Sequence, residues 1–502
     1  MANPSSCNKQ CTVREMRIVE ENAEWLGVTE ELMMENAGAA VAAEVAARVG
    51  RGARIAVIAG TGGKAGDGMV AARHLAARGF SVDVLFVESA RRIRHRAALA
   101  NYERVKGLFG IRVLERYTSW IDNLDEYSVI VDAMLGTGFH PPLTEPYLSV
   151  VKSLNRLEAF KVAIDIPTGV EPDTGEVEPT AFKADLTVTM HCCKPGLLRD
   201  PGSSYAGEVV VAEIGVPPDA ELLVGPGDLR HRVKPYNPRG HKGVNGRVLV
   251  VGGSAEYHGA PWLAAMAALE AGADLVYLAA PETVIDDSYT PEIIPVRLPG
   301  EKLHPASIGR ILDTGVKFDA VVIGPGLGRN PETIDAVVML LEDLRELGAK
   351  VVVDADALYA LSLKPRVLDE KFILTPHLGE ASRLLGSRVR DDLEARISAA
   401  RSIAARYRAT VLLKGWVDVV AHPAGRYRLN KTGSPQMTVG GTGDVLAGVT
   451  AALSCRTENP YYAAAVAAYV VGRAGELVAA EEARVTPLRL LRAVPRVLWG
   501  KA

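Results

Sequence analysis

The sequence predicts an α/β fold, built twice over in two domains. Short runs rich in Val and Ile alternate with longer helical patterns along all 502 residues. Most of these runs are continuously apolar rather than alternating, as strands covered on both faces of a parallel sheet must be. At roughly 100–200 residues per domain, the length also calls for more than one domain.

In the first half the strand-like runs are 54–59, 82–87, 129–132, 161–166, 186–190 and 208–214. In the second half they are 247–251, 275–280, 320–323, 350–354, 372–375 and 410–414. Helical patterns fall between them, for example at 68–78, 261–271 and 393–408. Strands alternating with helices throughout specify an α/β class. The stretch 215–243 holds Pro217, Pro218, Pro226, Pro235 and Pro238 with little periodicity, and it marks the junction. The expected domains are therefore 1–225 and 226–502.

Composition narrows the partners. Charged residues make up 23 % of the chain, near the globular norm, which excludes disorder as the main state. Lys+Arg 57 against Asp+Glu 60 gives a net charge of −3, which argues against nucleic acid or an anionic membrane as partner. No run of about 18 apolar residues lacks a charge, and residues 1–12 lack an apolar signal core, so a cytoplasmic location is expected. The five cysteines, Cys7, Cys11, Cys192, Cys193 and Cys455, are too few and scattered to predict a disulfide framework. No second pair beside Cys7 and Cys11 completes a zinc site, and the vicinal Cys192-Cys193 reads as ordinary core thiols.

Glycine, 48 residues, is in excess and clusters at strand ends. In the first half Gly60-Thr-Gly62-Gly-Lys-Ala-Gly66-Asp67-Gly68 follows a strand and leads into a helix. Such a loop lets the backbone approach an anion, although a plain strand-to-helix turn also needs glycine. Asp67 repels a phosphate unless it bonds a ribose hydroxyl or acts as a base. Val131-Asp132-Ala-Met-Leu-Gly136-Thr-Gly138 follows the third expected strand, and Asp165-Ile-Pro-Thr168-Gly169 the fourth. In an open parallel sheet these loops converge outside the carboxyl ends, where ligands bind.

The order of these three segments resembles the NAD(P)HX epimerases, the YjeF N-terminal family. Its members read Gly-x-Gly-Asn-Asn-Gly-Gly-Asp-Gly, Val-Asp-Ala-x-x-Gly-Thr-Gly and Asp-x-Pro-Ser-Gly. The resemblance implies a Rossmann-like three-layer sandwich that interconverts the R and S epimers of hydrated NADH and NADPH. It places the ligand on Gly63, Lys64, Ala65, Gly66 and Asp67 and on Gly136, Thr137, Gly138, Phe139, His140, Pro141 and Pro142. It makes Asp165 the proton-transfer residue. The family binds potassium through positions that are Lys64, Asp132 and Thr168 here. Gly63-Lys64 replaces the paired asparagines, so the lysine ammonium is expected to stand where the ion sits. A solvated Lys64 in an inactive site is the competing expectation.

The second half is denser in motifs. Gly252-Gly253-Ser254 leads to Ala260-Pro261, and Gly324-Pro-Gly326-Leu-Gly328, Asp354-Ala-Asp356 and Thr375-Pro-His377-Leu-Gly379-Glu380 follow successive strands. Lys414-Gly415-Trp416-Val417-Asp418 and Gly440-Gly441-Thr-Gly443-Asp444 complete the series. Glycine amides and a helix dipole form an anion hole for a transferring phosphoryl group, with Asp444 placed to take a proton from an attacking hydroxyl. Glu380 and Asp354 are candidates to hold Mg²⁺ through water. His377 reads as a positioning donor.

This series resembles the ribokinase-like superfamily and, within it, the ADP-dependent NAD(P)H-hydrate dehydratases, the YjeF C-terminal family. The resemblance implies a ribokinase-like α/β domain in which Ala260, Gly326, His377 and Asp444 contact the hydrated nucleotide. Lys414, Gly415, Trp416, Val417, Asp418 and Gly443 would hold ADP, the phosphoryl donor, although ATP is not distinguished from ADP. The implied partners are NADHX, NADPHX and ADP, and a homo-oligomer, tetramer or octamer, is expected. The helix near 463–476 carries Val471-Gly472 where the family often has His-Gly, a change expected to affect packing. The competing reading is a kinase for a vitamin or sugar alcohol, joined to a non-catalytic N-terminal binding module.

Overall fold

A computed structural model describes residues 7–288 and 290–500. The chain divides into two compact units, one ending at Ala220 and the other starting at Glu221. Leu223 forms an isolated bridge with Leu429, so the segment just after the division pairs within the second unit.

The strands of the first unit are β1 (Arg54–Ala59), β2 (Ser81–Phe86), β3 (Ile111–Leu114), β4 (Val129–Ala133), β5 (Phe160–Ile164), β6 (Leu186–Met190) and β7 (Glu208–Ala212). They form one sheet in the order β3-β2-β1-β4-β5-β6-β7, parallel throughout. Successive residues of β1 feed opposite cores. Ile55, Val57 and Ala59 pack with Val41, Met69 and Leu75 of two helices. Ala56 and Ile58 pack with Trp120, Val150 and Leu154 on the other face. The unit is thus a three-layer sandwich, and strand order reverses between β1 and β4. The carboxyl end of that pair is the topological switch point, where doubly wound sheets open a crevice.

The second unit contributes β8 (Arg247–Val251), β9 (Leu275–Pro281), β10 (Ile294–Leu298), β11 (Ala320–Ile323), β12 (Lys350–Val353), β13 (Phe372–Leu374), β14 (Thr410–Leu413), β15 (Asp418–Ala421) and β16 (Tyr427–Asn430). Their order is β10-β9-β8-β11-β12-β13-β14-β15-β16, parallel except for the antiparallel pairs β14–β15 and β15–β16. Val248 and Val250 face one core, Leu249 and Val251 the other. The switch point here lies between β8 and β11. The helix Pro460–Glu481 is long and apolar enough to cross a membrane, yet most of it is buried in the first of these cores.

The structure corrects three expectations. β3, β10, β15 and β16 are additional strands, all at or near sheet edges, so the loops after the third and fourth expected strands follow β4 and β5. The Gly60–Gly68 segment is a loop only as far as Gly62; Gly63–Ala77 is helical. Two disulfides are present, Cys7–Cys193 and Cys11–Cys192, leaving Cys455 free. Folding brings together cysteines 186 and 181 residues apart, a proximity that sequence spacing does not display.

Candidate active sites at the carboxyl ends of two sheets

At the first switch point the chain turns sharply from β1 into its helix. A Cβ on Gly60 would lie 2.2 Å from the Met134 carbonyl oxygen, and one on Gly68 would lie 2.4 Å from the Ala133 Cβ. Only glycine lets the helix and the β4 loop approach this closely. The approach drives Lys64, in the first turn of the helix, into the interior, where its side chain is 3 % exposed. Its Nζ donates to Asp132 Oδ2 at 2.8 Å, to the Leu135 carbonyl at 3.1 Å and to the Ile166 carbonyl at 2.6 Å. Thr168 Oγ1 stands 3.5 Å away. Asp132 is held in turn by Thr168, whose Oγ1 donates to Oδ1 at 2.7 Å and whose N–H donates to Oδ2 at 2.8 Å. The ammonium thus sits in a cage of oxygen acceptors, the donor set that suits a bound monovalent cation. Burial pulls Lys64 below its ordinary lysine value, and Asp132 opposes that pull.

Beside this cage lies a group of carboxyls. Asp165 follows β5 in a left-handed conformation, φ 61°. Its Oδ1 accepts from Thr189 Oγ1 and the Met190 N–H, each at 3.1 Å, and from Lys194 Nζ. Burial alone would raise the Asp165 carboxyl, but Lys194 outweighs it and holds the group below its ordinary value. Asp67 is driven the other way, well above the carboxylate range, by burial and then by the charges of Asp165 and Glu20. Burial lifts Glu20 to about 7, with Lys194 opposing. Two neighbouring carboxyls pushed apart in this way are chemically suited to act as a base and an acid.

Gly136 approaches Lys64, since a Cβ there would lie 3.4 Å from the Lys64 Cβ. A turn closes from the Phe139 N–H to the Gly136 carbonyl at 3.0 Å, and Phe139 packs on the core below. His140 points outward, 78 % exposed, with Nδ1 3.7 Å from Glu171. Lys194 and Glu20 are the functional candidates that sequence reasoning missed. The signal available for Lys194 was a lysine just past an apolar strand.

In the second unit, Gly326 (φ 69°) and Ala260 come together near the switch point, with 3.5 Å between a Cβ on Gly326 and the Ala260 Cβ. Ser254, after β8, is buried with its Oγ lacking a hydrogen-bond partner. Gly324 is forced by the Asp354 carbonyl oxygen, which a Cβ would meet at 1.8 Å. This places Asp354, 2 % exposed, against Lys414, whose Nζ donates to Oδ1 at 2.8 Å. Burial opposes the Lys414 charge, but Asp354 and Glu380 outweigh it and hold the ammonium above its ordinary value.

The pair faces the start of the helix Thr442–Arg456. Its N-cap, Gly441 at φ 97°, offers no side chain, so the helix presents bare amides. A Cβ on Gly443 would lie 3.4 Å from Lys414 Nζ and 3.9 Å from Asp354 Oδ2. Burial first, then the Asp354 charge, lifts the Asp444 carboxyl to about 7. His377 caps the helix Leu378–Leu385: its Nδ1 accepts from the Gly379 N–H at 3.0 Å, while Glu380 Oε2 accepts from the His377 N–H at 2.8 Å. Burial keeps His377 below, and Glu380 above, their ordinary values. His377 Nε2, the other ring nitrogen, lies 3.5 Å from Glu380 Oε1 on a ring that is more than half exposed.

The Lys414–Asp418 loop divides. Trp416 is 62 % exposed. The Asp418 carboxylate is turned inward, accepting from the Gly415 N–H and from Asn430 Nδ2, both at 2.9 Å, so it shapes the loop. The loop is pinned by Arg396, which donates to the Lys414 carbonyl at 2.8 Å and the Val417 carbonyl at 3.3 Å. Arg396 also went unread, although it sits on the stripe of Ala399, Ala400 and Ile403 where an apolar residue belongs. Gly472 packs against Thr432, whose Oγ1 a Cβ would meet at 2.2 Å.

Among the described residues no cluster of three or more His, Cys, Asp or Glu side chains forms a resident metal site. Asp354 Oδ2 and Glu380 Oε1 suit an Mg²⁺ that arrives on phosphates and needs only one or two carboxylates.

Residues 30–196 match the family described as YjeF-related protein N-terminus, and residues 248–496 the family described as NAD(P)H-hydrate dehydratase. The chain is 42 % identical over 501 residues to the bifunctional NAD(P)H-hydrate repair enzyme Nnr of Hyperthermus butylicus, covering 98 % of this chain and 92 % of that one. It is 43 % identical over 498 residues to its counterpart from Pyrobaculum aerophilum, covering 96 % and 97 %. Among solved structures, the ADP/ATP-dependent NAD(P)H-hydrate dehydratase from Bacillus subtilis, co-crystallised with ATP/Mg²⁺, is 30 % identical over 54 % of this chain and 94 % of that one, with a TM-score of 0.47. The chain belongs to the family of bifunctional NAD(P)H-hydrate repair enzymes.

Proposed function

We propose that the chain repairs hydrated NADH and NADPH in two steps. The first unit interconverts the R- and S-hydrates. The second dehydrates the S-hydrate at the expense of ADP, releasing AMP and phosphate. The observation that carries the reading is the meeting of Lys414, Asp354 and Asp444 at the bare amino end of the helix Thr442–Arg456.

Hydration leaves a hydroxyl on C6 of the nicotinamide ring and an extra hydrogen on C5. Hydroxide is a poor leaving group, which is a chemical reason to consume a nucleotide. Asp444 takes the C6 hydroxyl proton as the oxygen attacks the β-phosphorus of ADP and the bond to AMP breaks. The helix amides and Lys414 stabilise the charge that builds on the phosphoryl oxygens. The ring nitrogen lone pair then expels phosphate from C6, loss of the C5 proton follows, and the reduced ring returns. Mg²⁺ carried on the nucleotide supplies charge neutralisation, with Asp354 and Glu380 the residues that would hold it.

Epimerisation requires the C6 hydroxyl to leave and water to return on the opposite face. Asp67, whose carboxyl burial pushes well above the carboxylate range, donates a proton to the departing oxygen. Asp165, kept ionised by Lys194, accepts one from the returning water. Lys64 fills the place that the resemblance assigns to potassium, so this step runs without that ion.

The test mixes R- and S-hydrates with Mg²⁺ and either ADP or ATP and follows the return of reduced-nicotinamide absorbance. Full recovery is expected from the intact chain. Asp165→Asn is expected to plateau at the S fraction once spontaneous epimerisation is subtracted. Unchanged R turnover in that variant overturns the role of Asp165, and no recovery with either nucleotide overturns the reading as a whole.

A further inference from the structure

The two disulfides meet the first unit at its most sensitive point. Cys192 and Cys193 are both fully buried, and the next residue is Lys194, whose ammonium, 1 % exposed, holds Asp165. Cys192 bonds to Cys11 and Cys193 to Cys7, so adjacent residues are anchored separately to one N-terminal arm. A single bond would leave the turn free to pivot about it; two bonds from neighbouring residues remove that freedom. Backbone pairing follows the same line: the Cys193 N–H donates to the Lys9 carbonyl at 2.9 Å, and the Cys11 N–H to the Cys193 carbonyl at 3.2 Å.

The clamped turn is not relaxed. His191 is at φ 61°, as is Asp165, a region that non-glycine residues occupy only where their surroundings dictate it. Thr189 Oγ1 and the Met190 N–H, both on Asp165, precede the turn directly, and the Met190 carbonyl accepts from Lys194 Nζ at 2.9 Å. The arm continues into the helix Val13–Trp25, which brings Glu20 into the field of Lys194 and Asp165. One covalent clamp therefore sets three charged groups of the site.

We propose that the Cys7–Cys193 and Cys11–Cys192 pair is a thiol–disulfide control on the epimerase step, acting by positioning Lys194 against Asp165. Oxidised, it holds the pair in its productive geometry. On reduction each S–S bond takes two electrons and two protons from a dithiol, which departs as its own disulfide. The arm then loses its covalent anchors, and Lys194 loses its fixed place. The inference rests on the reading of Asp165 as the proton-transfer group.

The test uses the full chain, purified without reductant. Alkylation of the denatured protein followed by mass spectrometry should label one of the five cysteines, Cys455, and all five after dithiothreitol. Lys194 should resist an amine-reactive label in the oxidised protein and take it up after reduction. R-hydrate turnover should fall by about tenfold to a hundredfold, the cost of a misplacement near 1 Å. Its acid limb should move to higher pH as Asp165 loses its cation. ADP-dependent turnover of the S-hydrate should be unchanged, and reoxidation should restore the R rate, which separates release of the clamp from unfolding. Cys11→Ser should reproduce part of the loss. Zinc bound by four thiols in the purified protein overturns the proposal, as does a Lys194 still protected after complete reduction. An oxidised protein that protects Lys194 yet never turns over the R-hydrate overturns the proposed epimerase function instead.

Discussion

Replacing Lys64 tests the oxygen cage directly. Lys64→Met removes the ammonium and leaves its stem. Asp132, 0 % exposed, and the Leu135 and Ile166 carbonyls then each lose one donor. Breaking a buried ion pair costs ~3–5 kcal/mol. Asp132 keeps the Thr168 N–H, Thr168 Oγ1 and the Met134 N–H, the last at 3.1 Å, so the lower end, about 3 kcal/mol, is expected. At ~2–4 °C per kcal/mol for a unit of this size, the melting temperature of the first unit falls by about 6–12 °C. Lys64→Asn instead opens room for an ion among the same oxygens. Potassium at a hundred times its dissociation constant returns about 2.7 kcal/mol, and most of the lost melting temperature with it. The assay is scanning calorimetry with R-hydrate turnover, each in potassium and in sodium. The intact chain should not distinguish the two salts, whereas Lys64→Asn should be stabilised and activated by potassium alone. Potassium dependence in the intact chain, or indifference in Lys64→Asn, refutes the reasoning.

Two further outcomes follow from the second unit. Asp444 must be ionised to accept a proton, and burial lifts its carboxyl to about 7, so kcat/KM for the S-hydrate should fall tenfold per pH unit below about pH 7 rather than below the ordinary carboxylate range; Asp444→Asn should lose ~10²–10⁴-fold above that pH and lose the acid limb, so that the gap narrows as pH falls. Arg396→Met leaves the Lys414 and Val417 carbonyls without their donor, at about 1–3 kcal/mol each. Isothermal titration should show weakened ADP binding with S-hydrate affinity little changed.

Much of the fold was legible because buried parallel strands are written as continuous apolar runs. β1, β4, β8 and β11 flank the switch points and were readable from their own residues. The strands that escaped, β3, β10, β15 and β16, lie at or near edges, where one side faces solvent and charges such as Arg112 and Arg297 intrude. Similar reasoning explains the helix that begins at Gly63. Its glycines read as loop, but packing against Met34 and Ala133 requires glycine within the helix itself. Asp418 was readable as a polar residue in a ligand loop, whereas its inward turn toward Asn430 depends on a hairpin the sequence does not announce.

The sequence by itself determined the two-fold α/β plan and the strand ends where ligand loops gather. It also singled out position 64, where a lysine stands against the pattern. These are local properties: apolar periodicity, glycine placement and motif order all lie within a few residues. Only the tertiary structure decided that the Lys64 ammonium is enclosed by Asp132 and the carbonyls of Leu135 and Ile166, that Lys194 restrains Asp165, and that four cysteines pair across 181 and 186 residues. Each is a contact between distant segments whose burial sets both charge and reactivity, and no short stretch of chain contains both partners.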